Sequence, residues 1–225
     1  MPELPTNPEP VVYQLRVVLR GVSPLIWRRL LVRSDSTIAD LDASLQTALA
    51  WSDEHLHRFV IQGRVYGTDG RAHPRLVHLA HLGLRVRERF LYEYDFIDGW
   101  QFDVRVEQVL PLESGRRHPM CIGGRRAAPP EDCGGPWAFL ELRQRYSVVS
   151  IAERLLELLS PLMSETDSFD GDEHDDGDEH GDDAVDDHHA ELVDLLRWLK
   201  IDRFERRAVN RQLLQLGLTR PRTAA

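Results

Sequence analysis

The stretch RFLYEYDFIDGWQFDVRVEQVL, residues 89 to 110, limits the fold more than any other part of the chain. Phe90, Tyr92, Tyr94 and Phe96 alternate before Asp98 and Gly99, and Trp100, Phe102, Val104 and Val106 alternate after them. Period two puts each set on one face of an extended strand, and Asp-Gly between two such runs marks a tight antiparallel hairpin. Cross-strand aromatic pairs then line a core face.

Other segments extend this pattern. Val11 to Arg20 alternates through Tyr13, Leu15, Val17 and Leu19, and Leu25 to Val32 reads as a second strand after a turn around Gly21 to Pro24. Ser36 stands where it caps a helix with Ile38, Leu41, Leu45 and Leu49 on one stripe, ending near Trp51. His57 to Val60 and Val65 to Tyr66 flank Gly63 as a short hairpin, and a helical turn follows near Leu76 to His81. The segment CIGGRRAAPPEDCGG, 121 to 135, reads as neither helix nor strand; Trp137 to Tyr146, Ile151 to Met163 and Ala190 to Leu216 read as helices. This order predicts an α+β fold with a mainly antiparallel sheet packed against helices. The expected divisions are a proline-rich segment 1–10, an α+β core 11–163, a disordered acidic tract 164–189 before the C-terminal helix, and a basic helical segment 190–225 packed on the core.

The net charge of −9 is unevenly placed. Residues 165 to 189 hold 13 of the 37 acidic side chains and no Lys or Arg, so the remainder, with 28 basic against 24 acidic groups, is mildly basic. Like charges at this density keep such a tract solvated. Residues 172 to 183 loosely echo a calcium loop through Asp172, Asp176, Gly177 and Asp178, but His174 takes a ligand position and Asp183 replaces the closing Glu. The first ten residues contain no apolar run of the kind a secretory signal or membrane span needs, so the expected location is cytoplasmic, with no membrane partner. Two cysteines do not make a disulfide framework in a chain of 225 residues.

The candidate chemistry gathers in residues 92 to 135. Asp95, Asp98, Glu131 and Asp132 converge in principle with His55 or His57, as a general acid/base or metal arrangement requires. The structural alternative makes Asp98 a turn residue, makes Glu131 or Asp132 an acceptor for loop N–H groups, and gives the countercharge to Arg125 or Arg126. Zinc has a set of candidate ligands in His55, His57, His118, Cys121 and Cys133, although the spacing lacks two close pairs; otherwise no cofactor is expected. The alternative role of both thiols is as small apolar groups fastening the loop to the sheet. Trp51, Tyr92, Tyr94, Trp100 and Trp137 read as core aromatics, with a base-stacking platform as the competing use. No G-x-S-x-G, P-loop or dinucleotide fingerprint occurs.

Three segments together, WSDEHLHRF at 51 to 59, YEYDFIDGW at 92 to 100 and CIGGRRAAPPEDCGG at 121 to 135, resemble the Ri-plasmid open-reading-frame-three family, whose members are also labelled TnpR-like passenger proteins of insertion elements. The resemblance runs from about Tyr13 to Tyr146 and returns at Phe204 to Leu213, where Asn210 matches the family's closing helix. Ile97 departs from it, because similar proteins usually have glycine between Phe96 and Asp98. The resemblance implies an α+β domain in a plasmid- or transposon-associated accessory protein, without an activity to transfer. Ser23 precedes a proline, unlike the activated serine of a resolvase.

Two functional classes follow. The favoured one is a non-catalytic interaction module that binds a protein or nucleic acid, with Arg197, Lys200, Arg203, Arg206, Arg207 and Arg211 as contacts to phosphate. The other is a metal-dependent hydrolase or related enzyme using the 92 to 135 region.

Overall fold

The computed structural model describes residues 9–67, 73–164 and 181–219. It is an α+β fold. Seven strands form one antiparallel sheet: β1 (Val11–Leu19), β2 (Trp27–Arg33), β3 (His57–Ile61), β4 (Arg64–Gly67), β5 (Arg89–Tyr94), β6 (Trp100–Pro111) and β7 (Met120–Arg125). They lie in the order β4-β3-β5-β6-β1-β2-β7. The helices are α1 (Ile38–Leu49), α2 (Gly135–Arg145), α3 (Val148–Ser164), α4 (Gly181–Leu199) and α5 (Arg206–Thr219). A 3-10 turn at Leu79–Leu82 precedes β5, slightly later than the expected helical turn.

The alternation in the sequence is the alternation of the sheet. Leu15, Val17, Phe90, Tyr92, Tyr94, Trp100, Phe102, Val104 and Val106 are all buried, and Ile38, Leu41, Leu45 and Leu49 of α1 are buried as well. The other sheet face is polar: Glu107 accepts from the Arg29 guanidinium and from Gln14, while Arg16 and Arg29 stand 5.4 and 5.3 Å from the Trp27 ring centroid. Such a face can stay in water while the aromatic face is covered.

The 89 to 110 hairpin is wider than a two-residue turn. Tyr94 pairs with Trp100, which leaves Asp95 to Gly99 as a five-residue loop. Asp95 and Gly99 have φ of 51° and 69°. Asp95 Oδ1 accepts from the N–H groups of Ile97 and Asp98, and the Gly99 N–H donates to the Asp95 carbonyl. The side chain of Asp95 thus supplies the turn-closing bonds expected from Asp-Gly alone, and Phe96 leaves the strand for a part-exposed position. Ile97 is 97% exposed, so its side chain meets no packing constraint.

Thr37, not Ser36, caps α1. Its hydroxyl accepts from the Asp40 N–H, and Asp40 accepts from the Thr37 N–H, a reciprocal capping box. The helix ends at Leu49, with Ala50 in the left-handed conformation.

The first part of CIGGRRAAPPEDCGG is a strand, contrary to the reading from turn-forming residues. Its glycines are needed for packing rather than turning: a Cβ on Gly123 would stand 3.3 Å from the Trp27 ring, and one on Gly124 would stand 2.5 Å from the Phe204 ring. The Phe204 ring also meets the Arg28 guanidinium at 4.2 Å. Arg28 is 2% exposed and donates to the carbonyls of Ala48, Trp27 and Arg125, tying α1, β2 and β7 together. Burial pushes its guanidinium down to about 10.

Two compact units are present: residues 1–138 with 203–225, and residues 139–202. In the first, α5 packs on α1 and β7. In the second, α3 packs on α4, Trp198 stacks on Phe139 and Tyr146 at 5.9 and 5.0 Å, and Arg154 pairs with Glu191. The α4 helix begins at Gly181, ahead of the expected Ala190. The expected single C-terminal helix is two, separated by residues 200–205. Residues 165–180 of the acidic tract, and with them most of the calcium-loop echo at 172 to 183, lie outside the described residues.

Candidate functional site

The three family-like segments meet at one place on the first unit. Trp51 stacks on Tyr94 at 4.7 Å and donates its indole N–H to the Pro129 carbonyl at 3.0 Å. Beside it, Glu131 receives the Tyr94 hydroxyl at 2.6 Å and both the N–H and hydroxyl of Ser52. Burial, reinforced by Glu131, raises the Tyr94 phenol far above its ordinary value, so it serves as a donor. Asp98 Oδ2 accepts from the Gly134 N–H at 3.0 Å, and the backbone of Gly135 passes so close that a Cβ there would stand 2.3 Å from the Asp98 carbonyl oxygen. The PEDCGG end of the segment is therefore clasped to the β5–β6 turn.

His55 lies between two carboxylates. Its Nδ1 is 3.6 Å from Oδ2 of buried Asp95, and its Nε2 is 3.2 Å from Oδ1 of exposed Asp132. His57, two residues on, faces a second set: Nε2 is 3.2 Å from Asp42 Oδ2, while Gln46 Nε2 bridges Asp42 and Asp53 at 2.9 and 2.7 Å. The Tyr92 hydroxyl completes this set at 2.7 Å from Asp42 Oδ1. Burial pushes the Asp42 carboxyl up, against the opposing pull of His57, Tyr92 and Gln46. It pushes the Tyr92 phenol well above its usual value, with Asp42 adding to the effect.

These two histidine–carboxylate sets are the groupings of possible metal donors among the described residues, and neither includes His118, Cys121 or Cys133. Cys121 is buried in β7, where burial raises its thiol, while Cys133 is half-buried and the two form no disulfide. His118 is half-buried, and burial with nearby Arg116 holds its imidazole below its ordinary value. Trp100 is fully buried against Trp51, whereas Trp137 is 82% exposed and stacks on no aromatic ring among the described residues. Arg126 donates to the Leu25 carbonyl, and Arg125 ends β7 exposed, its carbonyl accepting from the Arg28 guanidinium.

The basic candidates divide between the units. Arg197 and Lys200 belong to the second, and Arg203, Arg206, Arg207 and Arg211 to the first. An open groove of about 490 Å³ between α5 and β7 is lined by Arg206, Arg207, Asn210 and Arg211, with Cys121 and Leu214 among its apolar neighbours and no carboxylate among the described residues. Its floor is held in place: Asn210 pairs with the Cys121 main chain, and Arg206 donates to the Ile122 carbonyl at 3.1 Å.

Sequence reasoning missed Asp42, Gln46, Asp53 and Arg28. Asp42 and Gln46 are four apart beside the apolar stripe of α1, and Arg28 shares the inward period of Leu30 and Val32. Polar residues breaking a core-facing period are the signal that marks such groups.

A half-covered antiparallel sheet, with histidine, carboxylate and aromatic side chains gathered over one end, defines an α+β domain of a distinct type. The chain belongs to the plasmid pRiA4b ORF-3-like protein family, whose model matches residues 11–178. It is similar to the uncharacterized protein y4hQ of Sinorhizobium fredii (strain NBRC 101917 / NGR234), 33% identical over 137 residues, which cover 58% of this chain and 70% of that protein. It also resembles the crystal structure of a protein of unknown function, MM3350 from Methanosarcina mazei Go1, with 29% identity and a TM-score of 0.60 over 88% of this chain and 97% of that one. Among the described residues, no helix is long and apolar enough to cross a membrane.

Proposed function

We propose that the protein is a non-catalytic binding module that takes the phosphate backbone of a nucleic acid along the α5–β7 groove. The observation that carries this reading is the grouping of Arg206, Arg207 and Arg211 around one groove that no carboxylate of the described residues lines. Guanidinium groups match phosphate oxygens in a planar fork. Backbone contacts of this kind carry affinity without reading sequence.

Fluorescence anisotropy with labelled single-stranded and duplex DNA, at about 50 and about 150 mM salt, tests the reading. Binding is expected at the lower salt, weakening steeply at the higher. The double variant Arg207→Glu, Arg211→Glu is expected to lose at least about tenfold in affinity and to flatten the salt dependence by about two contacts. Arg206 is left in place because it braces β7. Absence of binding at low salt, or equal binding by the double variant, would reject the nucleic-acid reading and leave an acidic protein as the partner to seek.

A further inference from the structure

The set around His57 contains an oxygen atom that the protein leaves unsatisfied. Gln46 is 2% exposed, and its Oε1 has no hydrogen-bond partner among the described residues. The other end of the same carboxamide, Nε2, is held 2.9 Å from Asp42 Oδ2 and 2.7 Å from Asp53 Oδ1. A buried carbonyl oxygen without a donor is uncommon, and here it belongs to a group lying against two carboxylates.

The spacing has a second reading. Donor atoms bonded to one divalent ion at about 2.1 Å and at right angles lie about 3.0 Å apart. The separations in the cluster, 2.7, 2.9 and 3.2 Å, bracket that value, and the ligand atoms of Asp42, Asp53 and His57 all fall within 4.8 Å of one another. The terminal torsion of glutamine is broadly two-fold, so half a turn exchanges Nε2 and Oε1. With oxygen turned inward, three oxygen donors and an imidazole nitrogen converge on one point. That arrangement is repulsive when empty and favourable around a cation. With nitrogen turned inward, as in this structure, the amide N–H groups take the cation's place.

We propose that Asp42, Asp53, His57 and the carbonyl oxygen of Gln46 form a site for one divalent first-row ion of the manganese or zinc type. Tyr92 donates to the Asp42 oxygen that faces away from the ion and so fixes the carboxylate's orientation. Asp53 is exposed, which provides the entry path and leaves coordination positions to water. The site is distinct from the arginine groove and does not depend on nucleic-acid binding.

The test uses chelator-stripped full-length protein titrated with MnCl2, followed by electron paramagnetic resonance and by melting temperature. Wild type is expected to bind one Mn²⁺ per chain at this site. Asp53→Asn, at an exposed position whose φ of 67° asparagine tolerates, should weaken binding by about tenfold or more while the metal-free fold persists. Gln46→Glu should lower the metal-free melting temperature, since three carboxylates then face one another, and should enlarge the rise that Mn²⁺ produces. A purely structural network predicts the first of these effects without the second. Failure of wild type to bind Mn²⁺, or affinity unchanged by Asp53→Asn, overturns the proposal. Loss of binding in Asp132→Asn with retention in Asp53→Asn would do the same, by moving the ion to His55.

Discussion

Asn210 and Cys121, 89 residues apart, exchange two hydrogen bonds: the Cys121 N–H donates to Asn210 Oδ1 at 2.8 Å, and Asn210 Nδ2 donates to the Cys121 carbonyl at 2.9 Å. The side-chain amide therefore pairs with the last strand of the sheet much as another strand would. Strand β7 is an edge, and an edge exposes main-chain groups that invite pairing with other chains. Asn210→Ala is expected to lower stability by about 1–3 kcal/mol by leaving the Cys121 N–H and carbonyl without these partners. Urea denaturation at neutral pH measures it; a change near zero would mean that water replaces the amide at no cost.

The two glycines that meet at the β5–β6 turn should respond unequally. Gly99 has φ of 69° but open space around an added Cβ, whereas Gly135 combines φ of 80° with the Asp98 carbonyl oxygen at 2.3 Å. Gly99→Ala should cost about 1–2 kcal/mol, the penalty of a left-handed L-residue. Gly135→Ala should cost more than about 3 kcal/mol, because backbone must move as well. Equal losses in thermal melts would show that the clasp is loose.

Tyr92 makes stability depend on alkaline pH. Its folded pKa lies well above the ordinary value of 10.0, so the folded state holds this proton more tightly than the unfolded chain does. The contribution is fully present below pH 10.0 and declines as pH rises beyond it, where the unfolded chain releases the proton first. Tyr92→Phe is expected to lose about 1–3 kcal/mol at pH 7 through the buried Asp42 oxygen it leaves unpaired. Stability of Tyr92→Phe should then fall less steeply above pH 10.0 than that of wild type, by up to one proton in the slope. Parallel pH profiles for the two proteins would place the alkaline sensitivity elsewhere, with Tyr94 the next phenol to examine.

What the amino-acid order determined by itself is the set of elements and their inward faces. Leu15 with Val17, Tyr92 with Tyr94, and Leu41 with Leu45 sit inside because strand and helix periods are properties of the local backbone. The helix at 38 to 49 and the aromatic strands at 89 to 106 were legible for that reason. Only tertiary structure decided which residues close a turn, fill a gap or share a proton. Asp95 widens the hairpin by bonding its own loop, and a rounded Gly-Gly signal becomes a strand because Trp27 and Phe204 occupy the space that side chains at Gly123 and Gly124 would need. Asp42, Gln46, Asp53 and His57 acquire a common centre only when α1 lies over the sheet. Those relationships depend on distances between residues far apart in sequence, and no local periodicity encodes them.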